Sequence, residues 1–450
     1  MPIAAVPAYL GKEFKDATPG LRFGMYLALW GVNRRTQELL WETHDIGYEV
    51  RGQNQQEREV KYENKVSALN DAKRLTANDK RVMEALAVRQ SQAFSVCAAA
   101  SASLRLDALA TAPFTTGLGN EHPLENGFAF LNPYGLPYLP GSGIKGVLRQ
   151  AARELASGDW GEAHGWSNAK TIPLMQGESD KRRAVLDKNK QPVMLTLLDV
   201  LFGRESTNGE TDHLRGALSF WDVIPQIKGD SLAVEIMTPH QRHYYQGKAH
   251  AGSATPHDSG APNPITFLTV PPGSGFAFHV VCDSAHLARH APELAAGERW
   301  KTLLTHAFEH AFKWLGFGAK TAVGYGAMGE DPEAKTRKEK AEADALKQKL
   351  NAQAAQERQA ALESMSPADR AMNEFLDARP DKNQPELSAL IGGLKQGTWD
   401  GELKIEIARH VESLMQAAKK WKEKSEKKNP EKDNDYQDTL KVMAWLAGKA

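Results

Sequence analysis

A short basic segment rich in glycine is the first feature of this chain that could do chemistry. Residues 139–149 read Leu-Pro-Gly-Ser-Gly-Ile-Lys-Gly-Val-Leu-Arg. The pattern predicts a turn followed by a helix, with Ser142 and Gly143 at its start and Lys145 and Arg149 four residues apart on one face. Unpaired N–H groups and the helix dipole favour anions at such a position. The segment therefore predicts a phosphate-binding site.

The same segment has the spacing of the dinucleotide-binding fingerprint, with Gly141, Gly143 and Gly146 as Gly-x-Gly-x-x-Gly. That fingerprint requires a second strand about 20 residues further on, ending in an acidic residue that binds a ribose. Here the corresponding residues, 158–165, have the composition of a loop. The context therefore disfavours a nicotinamide-dependent oxidoreductase, an alternative that cofactor-dependent thermal stabilisation would reveal.

A second glycine-rich segment, residues 315–326, reads Leu-Gly-Phe-Gly-Ala-Lys-Thr-Ala-Val-Gly-Tyr-Gly. Glycine lets backbone N–H groups approach a ligand closely. The spacing is not that of a Walker A loop, which requires Gly-Lys-Ser/Thr after a four-residue spacer. A tight connection between a helix and a strand explains the same composition. The candidate ligand-binding residues of this segment are Gly316, Gly318, Lys320, Thr321, Gly324 and Gly326.

A third cluster combines histidines, tyrosines and an arginine within residues 235–245. His240 and His243 could belong to a metal site or a general-base site, but metal binding needs a further ligand, which the sequence does not indicate. A base stacked on Tyr244, with Arg242 at a phosphate, would use these residue types more directly. A packed aromatic corner is the structural alternative.

The composition excludes several classes of protein. The 450 residues include 56 basic and 56 acidic ones, so the net charge is zero and any site for a polyanion must be a local patch. Two cysteines, Cys97 and Cys282, are too few for a disulfide scaffold or a cysteine-based zinc site. The sequence shows neither a signal-peptide pattern nor an apolar stretch that could span a bilayer. We therefore expect a cytoplasmic protein without a metal or cofactor.

Charge and periodicity divide the chain into three segments. A helical period over residues 64–89 predicts a helical N-terminal segment, 1–93. Residues 94–330 mix helices at 144–156 and 300–315 with short strands, and they lack regular βαβ spacing, so this domain is expected to be α+β. Residues 331–450 are about 37% charged against about 21% before them, which predicts a charged helical C-terminal extension. Strands are expected at 95–107, 217–222, 233–237, 265–270, 276–282 and 325–328.

Five blocks of sequence carry a resemblance to a known family. They are Thr-Gly-Leu-Gly-Asn-Glu-His-Pro at 116–123, Glu-Asn-Gly at 125–127, Gly-Leu-Pro-Tyr-Leu-Pro-Gly-Ser-Gly-Ile-Lys-Gly at 135–146, Gly-Ala-Leu-Ser-Phe-Trp-Asp at 216–222 and Met-Thr-Pro-His at 237–240. In this order, and with the glycine-rich segment at 316–326, they resemble the RAMP superfamily of CRISPR-associated RNA-binding proteins. Within it they are most similar to the branch of sixth Cmr subunits of type III-B effector complexes. The resemblance covers about residues 94–328.

The resemblance implies a ferredoxin-like (RRM-like) core in which the glycine-rich loop and the start of the first helix face RNA. It also implies a non-catalytic subunit of an antiviral complex, which binds the guide RNA (crRNA) near its 3′ end. Other RAMP subunits of the Cmr complex are then its partners, with target RNA as a further candidate and no membrane. Carried over by position, the residues expected at the RNA are Ser142, Gly143, Lys145, Arg149, His240, Arg242, Tyr244, Gly316, Gly318, Lys320, Thr321, Gly324 and Gly326.

An RNA-cleaving enzyme is the main alternative, since some RAMP proteins process guide precursors by histidine-assisted attack of a 2′-hydroxyl. His122 and His240 are then the candidate catalytic residues, and metal-independent RNA cleavage by the purified protein would favour this function. The middle segment holds slightly more acidic than basic residues, so its affinity for RNA is expected to be modest and sensitive to salt. The extension at 331–450 is open to three interpretations, a docking module, a fused subunit or a solubilising tail.

Overall fold

The computed structural model describes residues 3–11, 13–32, 39–41, 44–51, 56–98, 102–177, 182–206, 212–239 and 264–448. The chain forms two compact units, Met1–Thr336 and Arg337–Ala450. The mixed class of helices and sheets expected from the sequence is confirmed. The division into segments 1–93, 94–330 and 331–450 remains a prediction.

A four-stranded antiparallel sheet with two helices forms the centre of the first unit. In chain order its elements are β1 (Ser103–Ala110), α1 (Gly141–Ser157), β2 (Leu218–Phe220), β3 (Gly275–Cys282), α2 (Arg299–His310) and β4 (Met328–Glu330). The strands lie side by side in the order β2-β3-β1-β4. In this register Leu218 lies opposite Cys282, and Met328 lies opposite Ala110. Each helix therefore joins two parallel strands that have one antiparallel strand between them.

One face of this sheet carries the main core of the unit. Ile144 and Leu148 of α1 are fully buried, as is Phe308 of α2. The rings of Phe278 and Phe308 meet edge to face at 5.2 Å. Each side chain of this size contributes about 1.5–3 kcal/mol when it is fully buried. Alternation along β3 puts four buried side chains on the same face, as the sequence predicts: Phe276, Phe278, Val280 and Cys282.

A long helix, Ala77–Ala98, covers the opposite face of the sheet. Its Phe94 ring lies 4.7 Å from the ring of His279 in β3, and its Ser91 hydroxyl accepts a hydrogen bond from Arg105 of β1 at 2.7 Å. The sequence predicted a strand over residues 95–107, but the helix continues to Ala98 and β1 begins only at Ser103. Small residues dominate this stretch, so its alternation does not distinguish a strand from a helix whose buried side packs on the sheet.

The prediction of a helical N-terminal segment is wrong for most of its first two thirds, where strands predominate. His44–Arg51 pairs with Gln56–Glu63 in an antiparallel hairpin, and Ile3–Ala4, Ala28–Val32 and Leu39–Trp41 form a three-stranded sheet. Alternating apolar residues along the hairpin, at Ile46, Tyr48 and Val50, are the local signal for these strands. The segment is helical at Pro19–Phe23, Asn64–Ala72 and Ala77–Ala98.

The remaining described elements of the first unit are short. The antiparallel strand pair Ala233–Met237 and Ile265–Thr269 is the longest of them. Two-residue strands pair as Phe130–Leu131 with Leu136–Pro137, Ile172–Pro173 with Met194–Leu195, Met175–Gln176 with Arg183–Ala184, and Gly203–Arg204 with Leu214–Arg215. Short helices are Leu197–Phe202, Ser284–His290 and Pro292–Ala295.

Helices make up the described part of the C-terminal region, as the sequence predicts. They are Pro332–Ser364, Pro367–Ala378, Glu386–Gln396, Gly401–Ala417 and Asn434–Leu446. The last four enclose a small core of their own, with Leu390, Ile407, Val411 and Val442 fully buried. Within the described ranges of the whole chain, no helix is long and apolar enough to cross a membrane.

Candidate nucleic-acid interface

The second glycine-rich segment forms a loop between a π-helical turn at the end of α2 and the start of β4. The Phe317 N–H donates to the Gly326 carbonyl at 2.9 Å, which closes the loop on itself. Two further backbone hydrogen bonds, from Ala319 to Thr115 and from Gly326 to Pro113, attach the loop to the segment after β1, both at 2.8 Å. The backbone of the loop is therefore held in place by the chain itself.

Two of the four glycines in this loop are required by its own packing. A Cβ atom at Gly318 would lie 2.2 Å from the Thr115 carbonyl oxygen, and one at Gly326 would lie 1.8 Å from the Phe317 carbonyl oxygen. Both residues have positive φ, 91° and 72°, which L side chains rarely adopt. Gly324 also has positive φ, but no described atom lies within 4 Å of a Cβ there. The space beside Gly324 is therefore open, whereas Gly318 and Gly326 are required by the packing of the loop.

Lys320 lies on an aromatic surface beside the loop. Its ammonium nitrogen is 3.5 Å from the sulfur atom of Met237 and 5.2 Å from the centre of the Phe267 ring. The Tyr325 ring lies 5.5 Å from Phe267, and burial, with a smaller effect of the Glu235 charge, raises the pKa of the Tyr325 hydroxyl. A half-buried ammonium is less screened by water, so it attracts a phosphate more strongly than a fully exposed one.

Met237 ends the strand that leads into the third sequence cluster. Its strand pairs with Ile265–Thr269, and Lys320 contacts this strand pair at Met237. Thr321 is half-buried at the start of the 3-10 turn Thr321–Val323. Gly316 is buried with a φ of 70°. Three predicted site residues that follow Met237 in the chain lie outside the described residues: His240, Arg242 and Tyr244.

The first glycine-rich segment opens α1, as the sequence predicts. Ser142 and Gly143 are exposed in the first turn, and Lys145 and Arg149 are half-buried one turn apart. In the part of the chain that the structure describes, neither cation pairs with a carboxylate, and the Arg149 Nε atom is shielded from solvent without an acceptor. A buried guanidinium N–H without an acceptor is unfavourable. An anionic group placed against Arg149 would relieve this cost.

A carboxylate already lies at the N-terminus of α1. The Gly141 N–H donates to Asp222 Oδ1 at 2.7 Å, from a residue 81 positions away. The negative charge of Asp222 interacts favourably with the helix dipole and repels a second anion. One backbone N–H group at this end, that of Gly141, is therefore already engaged by the chain itself. The side chains of Lys145 and Arg149 remain the predicted phosphate contacts of α1.

The tertiary structure brings the two glycine-rich segments to the same end of the sheet. The chain leaves β1 and β2 and enters β3 and β4 at this end, because neighbouring strands are antiparallel. Leu139, just before α1, bridges to Val223 after β2, and the loop enters β4 at Met328. α1 also packs against the π-helical turn Ala311–Leu315 that precedes the loop. The region that these segments form is called the sheet-end site below.

His122, a candidate for RNA cleavage, has both ring nitrogens engaged by the backbone. Its Nε2–H donates to the Phe23 carbonyl at 2.8 Å, and its Nδ1 accepts from the Leu124 N–H at 3.1 Å. The ring stacks on Phe23 at 3.8 Å. Burial lowers the pKa of His122, against a smaller opposite effect of the Phe23 carbonyl. A proton can be accepted only by breaking the bond to Leu124, which disfavours His122 as a general base.

The two cysteines lie in different surroundings. Cys282 is buried in β3, and burial, with a smaller effect of Asp283, raises its pKa to about 12. Cys97 is half-buried, and both thiols are free. Within the described ranges no group of three or more His, Cys, Asp or Glu residues could hold a metal ion.

Sequence reasoning missed three residues that shape the sheet-end site. Asp222 belongs to a block that carries the family resemblance, but an aspartate after a strand gives no sign that it will meet a helix 81 residues earlier. Phe267 and Met237 form the surface under Lys320. Their apolar side chains are typical of any strand pair, so only the tertiary contact reveals their role.

Known proteins are similar to the part of the chain that forms the central sheet and the sheet-end site. Residues 108–328 match the model of the RAMP superfamily. The resemblance to the RAMP superfamily is confirmed over these residues. The chain is also 30% identical over 241 residues to the CRISPR system Cmr subunit Cmr6 of Pyrococcus furiosus. The aligned region covers 48% of this chain and 64% of that protein. The chain thus spans less than two thirds of the length of the curated relative it matches.

Solved structures of Cmr proteins are also similar to this chain. One is a chain of the type III-B Cmr-beta complex bound to cognate target RNA, with 17% identity, a TM-score of 0.36, and 59% of this chain and 71% of that chain covered. Another is the crystal structure of Cmr6 from Pyrococcus furiosus, with 24% identity, a TM-score of 0.27, and 51% and 97% covered.

Proposed function

We propose that this chain is a non-catalytic, guide-RNA-binding subunit of a type III-B (Cmr) CRISPR effector complex, placed on the 3′-end side of the guide. The RAMP match over residues 108–328 and the 30% identity to Cmr6 support this proposal. Its partners are then the crRNA, other RAMP subunits and target RNA, and its location is the cytoplasm. Residues 94–330 form the RAMP domain, between the N-terminal segment 1–93 and the extension 331–450.

The order of elements supports a ferredoxin-like core for this domain. A strand, a helix, two strands, a helix and a strand follow one another along the chain, with the sheet order β2-β3-β1-β4. This succession is the ferredoxin-like arrangement. The helix Ala77–Ala98 covers the sheet face opposite to α1 and α2, so RNA would bind at the end of the sheet rather than across that face.

The observation that carries the proposal is the meeting of two basic, glycine-containing segments at the sheet-end site. Lys145 and Arg149 lie one turn apart without carboxylate partners among the described residues. Lys320 of the glycine-rich loop lies over the ring of Phe267. Phosphate contacts of this kind position an RNA without reading its sequence. Such a role requires no acid–base residue, and His122 is already engaged by the backbone.

The test is assembly of the complete effector complex on guide RNA with single substitutions in this chain. Lys145→Glu and Lys320→Glu are expected to reduce the guide RNA recovered with the complex while leaving the thermal unfolding of the chain unchanged. In titrations of the full-length chain, Lys145→Ala is expected to lower the slope of log affinity against log salt by about 1, the effect of one lost phosphate contact. Lys170→Glu, at an exposed lysine outside the sheet-end site, is the control with the same change of charge.

Three results would count against parts of the proposal. Normal assembly of both charge-reversed variants would show that the site assignment is wrong. Wild-type chain that purifies without guide RNA and without other RAMP subunits would contradict the function as a whole. Cleavage of a guide precursor by the purified chain in the absence of metal would favour the RNA-processing alternative.

A further inference from the structure

A pocket of about 240 Å³ lies between the loop after α1 and the end of α2. Trp160 and Trp314 form two of its walls, with ring centres 5.5 Å apart and planes tilted by 58°. Their side chains are 49% and 55% exposed. A tryptophan buries a large apolar area when it finds a partner, so two neighbouring exposed rings form a surface suited to a ligand.

A hydrogen bond and two ring contacts hold the pocket in shape. The Nε2–H of buried His310 donates to Glu154 Oε2 at 2.7 Å, and the Trp160 ring stands edge-on against His310 at 5.4 Å and 89°. On the adjoining side, the His164 ring stacks on His306 at 4.2 Å. The Trp160 wall is therefore supported by a buried polar pair that joins α1 to α2, and little reordering is needed for a ligand to bind.

Charges around the rings favour a cation. Glu162 and Glu309 are exposed at the pocket, and one oxygen of Glu309 already accepts from the His306 ring at 3.0 Å. The single lysine there, Lys313, lies 5.1 Å from the centre of the Trp314 ring. The face of an indole ring attracts cations through its quadrupole. The two exposed carboxylates outnumber the lysine, so a phosphate or a nucleotide would meet net repulsion.

We propose that this pocket binds an arginine side chain presented by a partner protein. A guanidinium is planar, so it can stack on Trp160 while its N–H groups donate to the carboxylates of Glu162 and Glu309. Tryptophan and arginine are enriched where binding energy concentrates in protein interfaces. The proposal concerns a site separate from the sheet-end site and does not rest on guide-RNA binding.

The test uses the full-length chain labelled with 5-fluorotryptophan and followed by fluorine NMR. Single Trp160→Phe and Trp314→Phe variants assign two of the ten tryptophan resonances. The probe is the capped peptide Gly-Gly-Arg-Gly-Gly, and Gly-Gly-Gln-Gly-Gly is its neutral control. We expect the arginine peptide alone to shift these two resonances saturably, with a Kd in the millimolar range that rises with salt.

A double variant, Glu162→Gln with Glu309→Gln, is expected to weaken binding of the arginine peptide at least threefold. Glu293→Gln, at an exposed glutamate outside the pocket, is expected to leave it unchanged. The eight other tryptophan resonances report whether each variant keeps its fold. Equal shifts with the glutamine peptide, or unchanged affinity in the double variant, would overturn the proposal. Shifts with AMP but not with the arginine peptide would identify a nucleobase site instead.

Discussion

His279 gives the sharpest prediction about stability, because a titratable ring is enclosed in the sheet without good hydrogen bonds. It is 2% exposed, and its ring packs edge-on against Phe94. Neither ring nitrogen has a well-aligned partner among the described residues, and the Ala277 backbone offers only a weak contact. Burial, and then the positive charge of Arg105, lower the pKa of His279 from 6.5 to about 4, against a smaller opposite effect of Asp107.

The sign of the pH effect follows from this lowered pKa. Below pH 6.5 the unfolded chain binds a proton at His279 that the folded chain does not bind, so the free energy of unfolding decreases as the pH falls toward 4. A difference of about 2.5 pKa units corresponds to about 3 kcal/mol at 1.36 kcal/mol per unit. The full stability is present above pH 6.5. His279→Leu removes the titrating group, so this part of the pH dependence should disappear.

Denaturant unfolding of the full-length chain at pH 7, 6, 5 and 4 measures the effect, with hydrogen exchange of the peptide containing β3 as the local probe. Wild-type protein is expected to lose about 3 kcal/mol more than His279→Leu between pH 7 and pH 4. The difference between the two chains cancels other groups with lowered pKa values, such as His122 and His290. His213→Leu, at an exposed histidine, is the control. Parallel pH curves for wild type and His279→Leu would refute the reasoning.

Two further predictions concern the sheet-end site. Gly326→Ala should displace the glycine-rich loop and destabilise the first unit by more than the roughly 1–2 kcal/mol of a left-handed residue, because its Cβ would overlap a backbone oxygen. Gly324→Ala should cost no more than this backbone contribution, since no described atom lies near its Cβ. Thermal unfolding compares the two variants, and equal losses of stability would contradict the packing argument. Asp222→Asn should raise the affinity for guide RNA, because it removes the negative charge at the start of α1. The free energy of unfolding should change by about 1 kcal/mol or less, because the amide oxygen still accepts from the Gly141 N–H. Unchanged or weaker RNA binding in a salt titration would show that this charge does not face the RNA.

Much of the local structure could be predicted because its signals are local. The apolar spacing and the glycines of residues 139–156 predicted α1, which runs over Gly141–Ser157. Alternation predicted β3 and its buried face, and the strand Ala233–Met237 was predicted at its observed bounds. The stretch after residue 95 was mispredicted because small residues fit either a strand or a helix, and packing of Phe94 on the sheet favours the helix.

The sequence by itself determined the family resemblance over the middle segment, since the order and spacing of short motifs need no coordinates, and it also located two basic, glycine-rich segments. Only the tertiary structure decided how these segments are used. It placed Asp222 at the start of α1, engaged both nitrogens of His122 and assigned Gly318 and Gly326 to loop packing. These outcomes depend on contacts between residues far apart in the chain. Local periodicity carries no information about such contacts, because they are set by the strand order and by the helices that cross the sheet.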